Sequence, residues 1–183
     1  SMTLKLTIIQ QRHDRKKFDC EYEDLNNFLA KNARVSSDKR MTRTYVLEDP
    51  DNPDTVMGYV TLTYTSVELP EGCNPAKKRK LKVQSPMPAL LLAKMAVSKS
   101  YKGNGYGRLL LTFAIKQAAI ASAQVGGIGL IIDAKDDQAK KFYLDQGGKD
   151  FEVIDDSGLK LWLPIDICDY IAQMVGSRAL EST

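Results

Sequence analysis

Three glycines stand at alternate positions in one short run, Lys102-Gly103-Asn104-Gly105-Tyr106-Gly107-Arg108. A near-continuous apolar run, Ala89 to Ser98, comes before it, and a helical pattern follows. Glycines at such a junction let the chain turn with positive φ and let a ligand approach the backbone. The amides then converge at the positive end of a helix, which suits a phosphate or diphosphate. Lys102 and Arg108 add positive charge at the rim. The run is not a P-loop, which needs Gly-x-x-x-x-Gly-Lys-Ser/Thr. A dinucleotide fold carries its glycines after the first strand and an acidic residue about 20 residues on. Here the loop follows the fourth predicted strand, and the later position is an alanine-rich helix. A plain glycine turn into a helix is the alternative reading of the string alone.

Other candidate chemistry is sparse. His13 is the single histidine and sits in a polar stretch near the N-terminus, a poor base for a Ser-His-Asp or Cys-His arrangement. Cys20, Cys73 and Cys168 lie far apart without CxxC spacing, which argues against a disulfide framework and a zinc site. No metal is expected. Cys20 has no local histidine and reads as buried packing rather than a nucleophile. Tyr143, in the pattern Asp136-x-x-Ala139-x-x-Phe142-Tyr143, is by itself a core aromatic before it is a proton donor.

These residues need a scaffold. The 183 residues suit one domain, long enough to bury roughly two-thirds of its unfolded surface. Apolar residues are 43% and charged residues 27%, which excludes disordered, collagen-like and coiled-coil chains. The longest uncharged apolar stretch, Ala89 to Ala93, is closed by Lys94. That excludes a membrane span; nothing near the start reads as a signal peptide, and a cytoplasmic location is expected.

Apolar periodicity places the elements. Leu4, Leu6 and Ile8 alternate as in a strand, and Leu25, Phe28 and Leu29 mark a short amphipathic helix. Thr44 to Glu48 reads as a strand, Pro50 to Asp54 as a turn, and Val56 to Leu69 as a long strand. Residues 70–88 form a proline-rich loop. Ala89 to Ser98 is a strand buried on both faces. A helix runs to about Ala123, stopped by Gly126-Gly127. Gly129 to Asp133 is another buried strand, and Asp136 to Gln146 a helix with an acidic start. Phe151 to Ile154 and Leu159 to Leu163 flank a hairpin turn, and Asp166 to Leu180 suits a final helix. The order is that of a mixed α/β or α+β domain with a parallel crossover over residues 89–133.

Net charge is +3, but it is unevenly spread. Residues 1–147 carry 23 basic against 16 acidic residues, and residues 148–183 carry 3 against 7. Lys77, Lys78, Arg79, Lys80 and Lys82 form one basic cluster. Lys31, Arg34, Lys39, Arg40 and Arg43 form another. Two solvated faces would explain them, as would a polyanionic partner whose phosphates they neutralise.

The string Met95-Ala96-Val97, the glycine run and the Asp136 to Tyr143 pattern together resemble the GNAT N-acetyltransferase family. The family's Gln/Arg-x-x-Gly-x-Gly loop falls on Lys102 to Gly107, with lysine first. The resemblance implies a single GNAT-fold domain over residues 3–165, with a mixed, splayed sheet of about six or seven strands flanked by helices. A C-terminal helix or tail, 166–183, follows. It implies acetyl-coenzyme A as co-substrate. Lys102, Gly103, Asn104, Gly105, Tyr106, Gly107 and Arg108 would hold the diphosphate. Met95, Ala96 and Val97, on a strand splayed from its neighbour, would hold the pantetheine arm, with Asp136 also in the cofactor set. Tyr143 takes the place of the general acid.

Phe18-Asp19-Cys20, Leu25-Asn26-Asn27-Phe28-Leu29, Arg43-Thr44-Tyr45-Val46, Met87-Pro88, Asp133-Ala134-Lys135-Asp136-Asp137 and the final hairpin are similar to the acetyltransferase toxins of type II toxin–antitoxin modules. That likeness implies transfer of acetyl to the α-amino group of an aminoacyl-tRNA, a homodimer, and a cognate antitoxin encoded nearby. Arg34, Arg40, Arg43, Lys77, Lys78, Arg79, Lys80 and Lys94 then become candidate tRNA contacts. The family usually follows the tyrosine helix with Gly-Phe; here Gly147-Gly148-Lys149-Asp150-Phe151 stands instead.

The chemistry is consistent with that likeness. Acetyl transfer from a thioester needs an aligned amine, donors for the oxyanion and a proton for the thiolate. Phenol and thiol have ordinary pKa values of about 10 and 8.5, so a tyrosine can serve as the acid. The sequence offers no paired carboxylates or buried histidine as a base. An α-amine, with a pKa of about 7.7–8.0, needs one less than a lysine amine at about 10.4. Two rival readings stay open: an acetyltransferase of a polyamine, antibiotic or peptide amine, and a non-catalytic nucleic-acid-binding module.

Overall fold

The computed structural model describes residues 4–71, 73, 86–147, 150–175 and 181–182. In chain order the elements are β1 (Lys5–Ile8), α1 (Glu23–Phe28), a π turn (Leu29–Ala33), α2 (Arg34–Asp38), β2 (Arg43–Asp49), β3 (Asn52–Val67) and β4 (Met87–Val97). A 3-10 turn (Lys99–Tyr101), α3 (Tyr106–Val125), β5 (Gly129–Asp133), α4 (Asp137–Gly147), β6 (Glu152–Val153), β7 (Lys160–Pro164), α5 (Ile165–Val175) and β8 (Glu181–Ser182) follow. The strands form one sheet in the order β6-β7-β5-β4-β3-β2-β1-β8. Pairs β4–β5 and β1–β8 are parallel, and β1–β2, β2–β3, β5–β7 and β6–β7 antiparallel. This is the mixed sheet the sequence predicts, with a two-residue eighth strand that apolar periodicity does not announce. Among the described residues no helix is long and apolar enough to cross a membrane.

Two compact units divide the chain. The first comprises Ser1–Thr63, Ala93–Phe113 and Ser177–Thr183, and the second Tyr64–Leu92 and Ala114–Gly176. In the first, Ile9, Phe18, Leu25, Leu29, Val46, Val56, Tyr59 and Ala96 share a core cluster. The Tyr59 hydroxyl, fully buried, donates to the Leu25 carbonyl at 2.8 Å. The predicted short helix is longer than expected, because α1, the π turn and α2 run on without a break. Leu25, Leu29, Ala33 and Ser37 are its buried stripe. Their four-residue spacing would drift about 40° per step on a regular α-helix. The wider π turn absorbs that drift.

The predicted turn at Pro50 to Asp54 is shorter in the structure. Pro50 and Asp51 alone make the connection, and Asn52 already pairs with Asp49. The reason is Arg12, whose Nη1 donates to the Pro53 carbonyl at 2.9 Å and pairs with Asp54 at 3.1 Å. Those two residues are thereby held extended.

His13 is also corrected. It is buried, although the stretch around it is polar. Its Nδ1 accepts the Gln10 amide at 2.9 Å, so Nε2 carries the proton and donates to Glu48 at 2.7 Å. Arg12 completes the ion cluster on the Glu48 carboxylate. Both ring nitrogens are engaged in structure.

In the second unit, Val67, Leu69, Ala89, Ile128, Ile131, Ile154 and Trp162 share a core cluster, and Trp162 donates its indole N–H to the Ile128 carbonyl at 3.0 Å. The loop predicted for residues 70–88 ends early, since Met87 and Pro88 already belong to β4. The final hairpin turns at Gly158, where φ is +76°. The final helix is observed as Ile165–Val175.

Gly129 is the most constrained position of this unit. Its φ is +133°, and a Cβ there would lie 2.1 Å from the Leu163 carbonyl oxygen. Gly129→Ala is expected to cost about 3 kcal/mol through overpacking against backbone. Gly126→Ala, at φ +87° with open space around it, should cost only about 1 kcal/mol. Denaturant midpoints of the two variants check this difference.

Candidate active site

The first unit carries the candidate main-chain anion site, at the end of β4. Gly58 of β3 sets its position. A Cβ on Gly58 would stand 3.0 Å from the Ala96 carbonyl oxygen and 3.0 Å from the Leu110 side chain. Glycine therefore lets β4 and the first turns of α3 settle closely on β3. Beside it, the β2–β3 register passes from Leu47↔Gly58 to Glu48↔Val56 and skips Met57. The Met57 carbonyl accepts the Ser98 amide at 2.9 Å instead. A β-bulge thus fixes the end of β4.

Met95 and Val97 are half-buried and Ala96 is buried. Parallel pairing between β4 and β5 covers Leu90, Leu91 and Leu92 with Leu130, Ile131 and Ile132, while β4 itself runs on to Val97.

After β4 the 3-10 turn leads into the glycine run. Tyr101 anchors it, its hydroxyl donating to Asp49 at 2.6 Å. That hydrogen bond, with burial, pushes the phenol up to about 12. Asn104 donates its side-chain amide to the Tyr101 carbonyl at 2.9 Å and closes the loop. Gly103 and Gly105 have φ of +85° and +80°, and a Cβ at either would meet nothing within 4 Å. They are glycines for conformation, and the space beside them is open. The amide of Leu109 bonds the Gly105 carbonyl at 3.1 Å. The amides of Tyr106, Gly107 and Arg108 stand in the first turn of α3, where helical amides have no carbonyl of their own helix to bond. Lys102 and Arg108 are exposed at either end of the loop. The loop therefore has the backbone freedom, open space and charge that a diphosphate requires.

The second unit carries Tyr143 on α4. Asp136 caps this helix, its Oδ1 accepting the Ala139 amide at 2.8 Å. That duty is structural and is visible for the residue placed in the predicted cofactor set. Of the two adjacent aromatics, Tyr143 is buried and Phe142 half-buried, with their rings edge-on at 5.5 Å. Burial raises the Tyr143 phenol well above its ordinary value, so it keeps its proton at any physiological pH. As an acid it is correspondingly weaker than the ordinary phenol assumed from sequence.

Basic candidates in the first unit have mixed duties. Arg34 pairs with Asp38 at 2.9 Å, and its Nε is buried without a hydrogen-bond partner among the described residues. Arg43 donates to the Ser37 carbonyl at 3.1 Å. Arg40 is exposed, in the left-handed region at φ +59°. Lys94 lies over the Phe28 ring, 5.5 Å from its centroid, a cation–π contact. Lys77, Lys78, Arg79 and Lys80 lie outside the described residues. Cys20, Cys73 and Cys168 are buried. Sequence reading missed Gly58 and Met57. The glycine inside a valine- and tyrosine-rich strand is the signal that could have found the first.

Known proteins share this fold. The probable toxin TacT of Sinorhizobium fredii is 27% identical over 164 residues, covering 84% of this chain and 86% of TacT. The crystal structure of a tyrosine-to-phenylalanine mutant of KacT superposes with a TM-score of 0.82 at 27% identity, over 93% of this chain and 99% of KacT. AtaT is similar in two solved structures. AtaT complexed with acetyl-methionyl-tRNAfMet gives a TM-score of 0.80 at 26% identity, over 92% of this chain and 98% of that one. AtaTR bound with AcCoA gives 0.76 at 25% identity, with the same coverage. The acetyltransferase (GNAT) domain model matches residues 41–147, and the chain belongs to that family.

Proposed function

We propose that this protein transfers the acetyl group of acetyl-coenzyme A to the α-amino group of an aminoacyl-tRNA and acts as a translation-blocking toxin. The observation that carries the reading is the glycine-turned loop opening onto free space at the first amides of α3. The similarity to AtaT, solved with AcCoA and with acetyl-methionyl-tRNAfMet, supports the choice of ligands. Acetyl-coenzyme A supplies a thioester-activated acetyl group. Lys102 to Arg108 bind its diphosphate, and the backbone of Met95, Ala96 and Val97 orients its arm and polarises the carbonyl. The α-amine forms its bond to the acyl carbon as the carbon–sulfur bond breaks. Tyr143 gives its proton to the departing sulfur, and the surplus proton of the amine passes to solvent.

The base question supports the same acceptor. His13 has both nitrogens occupied, so it offers no lone pair to a substrate. An α-amine is substantially neutral near pH 8 without help. Arg34, Arg40, Arg43 and Lys94 supply positive charge for the tRNA. The same reading includes a homodimer, a cytoplasmic location and an antitoxin that covers the basic face.

Incubation with charged tRNA and acetyl-coenzyme A should give N-acetyl-aminoacyl-tRNA by mass spectrometry; unmodified tRNA overturns the reading. Tyr143→Phe should lower the rate about 10²–10⁴-fold, the range of a lost general acid. The rate should rise with pH through about 7.7–8.0 as the amine loses its proton. Since burial raises the Tyr143 pKa, no descending limb should follow below about pH 10. Removing exposed charge with Lys39→Gln and Arg40→Gln should weaken tRNA binding. It should also flatten the salt dependence by roughly 0.7–0.9 for each phosphate that is no longer neutralised. A small-molecule acceptor would leave turnover unchanged by those substitutions.

A further inference from the structure

Residues 19–21 form a tight corner beside the entrance of the glycine loop, within the first unit. The Asp19 carbonyl accepts the Lys99 amide at 2.8 Å and the Ser98 hydroxyl at 3.3 Å. Its carboxylate lies 3.2 Å from the Lys99 ammonium. Asn26 of α1 locks the corner from the other side. Its Oδ1 accepts the Cys20 amide at 2.9 Å, and its Nδ2 donates to Asp19 at 3.1 Å. The Glu21 amide donates to the Asp19 carboxylate at 2.9 Å. Together the Glu21 amide, Asn26 and Lys99 hold the Asp19 carboxyl below its ordinary range.

Glu21 itself stands at φ +72°, a conformation that glycine adopts freely and a glutamate does not. A charged side chain is thus kept where the backbone favours glycine. Its carboxylate lies 3.6 Å from the ammonium of Lys102, the first residue of the loop. Both side chains are half exposed, at 63% and 47%. The contact is longer than a charge-assisted hydrogen bond, and an exposed pair of this kind holds weakly. A diphosphate arriving at the loop meets a lysine already paired, and an anion beside it.

We propose that Glu21 is an internal counter-anion of Lys102 that competes with the diphosphate of acetyl-coenzyme A and so lowers the affinity of the loop for co-substrate and for the coenzyme A product. It is a positioning residue, acting through Lys102 without touching the reacting atoms. The proposal rests on the co-substrate reading given above. Its consequence is faster exchange of spent for loaded coenzyme.

Isothermal titration of the full chain with acetyl-coenzyme A tests it. Glu21→Gln removes the charge and keeps the left-handed residue; Glu21→Gly removes the charge and relieves the backbone. Both should tighten binding about twofold to fivefold at low ionic strength, the range of a weak exposed pair. The gain should vanish at about 0.5 M salt, where screening is short-ranged. Only Glu21→Gly should raise the melting temperature. The KM for S-acetyl-pantetheine, which lacks the diphosphate, should not move in either variant. Binding by the unaltered protein that Glu21→Gln leaves unchanged overturns the proposal alone. So does tightening by Glu21→Gly only, or a gain that persists in high salt. No binding by the unaltered protein overturns the co-substrate reading and the proposal with it.

Discussion

The close approach of backbone to backbone at Gly58 is the constraint on which the candidate anion site depends. A main-chain site can be placed only as accurately as the strand that leads into it. Here β4 and α3 rest on the one β3 residue without a Cβ, with the Ala96 carbonyl and Leu110 at the contact limit. Any larger residue would push out the strand end, and the loop with it, by tenths of an ångström. The neighbouring bulge adds a second fixing, because the skipped Met57 gives its carbonyl to Ser98. Tyr101 on Asp49 adds a third. The three act on successive residues of one path, from strand end to helix start.

Charge is handled differently in the interior and at the loop. His13 and Glu48 are buried and paired with each other, as buried ionisable groups must be, and the partly exposed Arg12 links Glu48 to Asp54. Both nitrogens of His13 are thereby engaged, which leaves no capacity for proton transfer to a substrate. The loop keeps its cations in solvent, where Lys102 holds only a weak, exposed contact with Glu21. The proposed transfer would then draw on alignment and fixed dipoles more than on acid–base strength. The buried, proton-retaining phenol of Tyr143 is consistent with that balance.

Much of this was legible in the residues. Glycines 103 and 105 identify the loop because few other residues adopt its φ values, and the apolar run of β4 identifies the strand before it. Tyr143 became a candidate through family likeness alone, since a helix pattern does not separate it from Phe142. Three features were not legible. The fate of His13 depends on Glu48, 35 positions away, and a local polar composition hides it. The PDNPD turn shortens because of Arg12, again distant in sequence. The bulge at Met57 is a property of two strands in register, which neither strand reveals by itself. Tertiary partners decided each of these cases.

The π turn at Leu29–Ala33 sets the rotational phase of everything that follows it in the helical segment. Each residue advances a helix by about 100°. Shortening that turn by a single residue would swing α2 through about a quarter-circle. Arg34 and Asp38 would take the buried slots now held by Ala33 and Ser37. Arg34 and Lys39 would point elsewhere. The direction in which this segment presents its cations is thus encoded by residue count rather than by residue type, and a deletion there would re-aim them while leaving every charge in the chain.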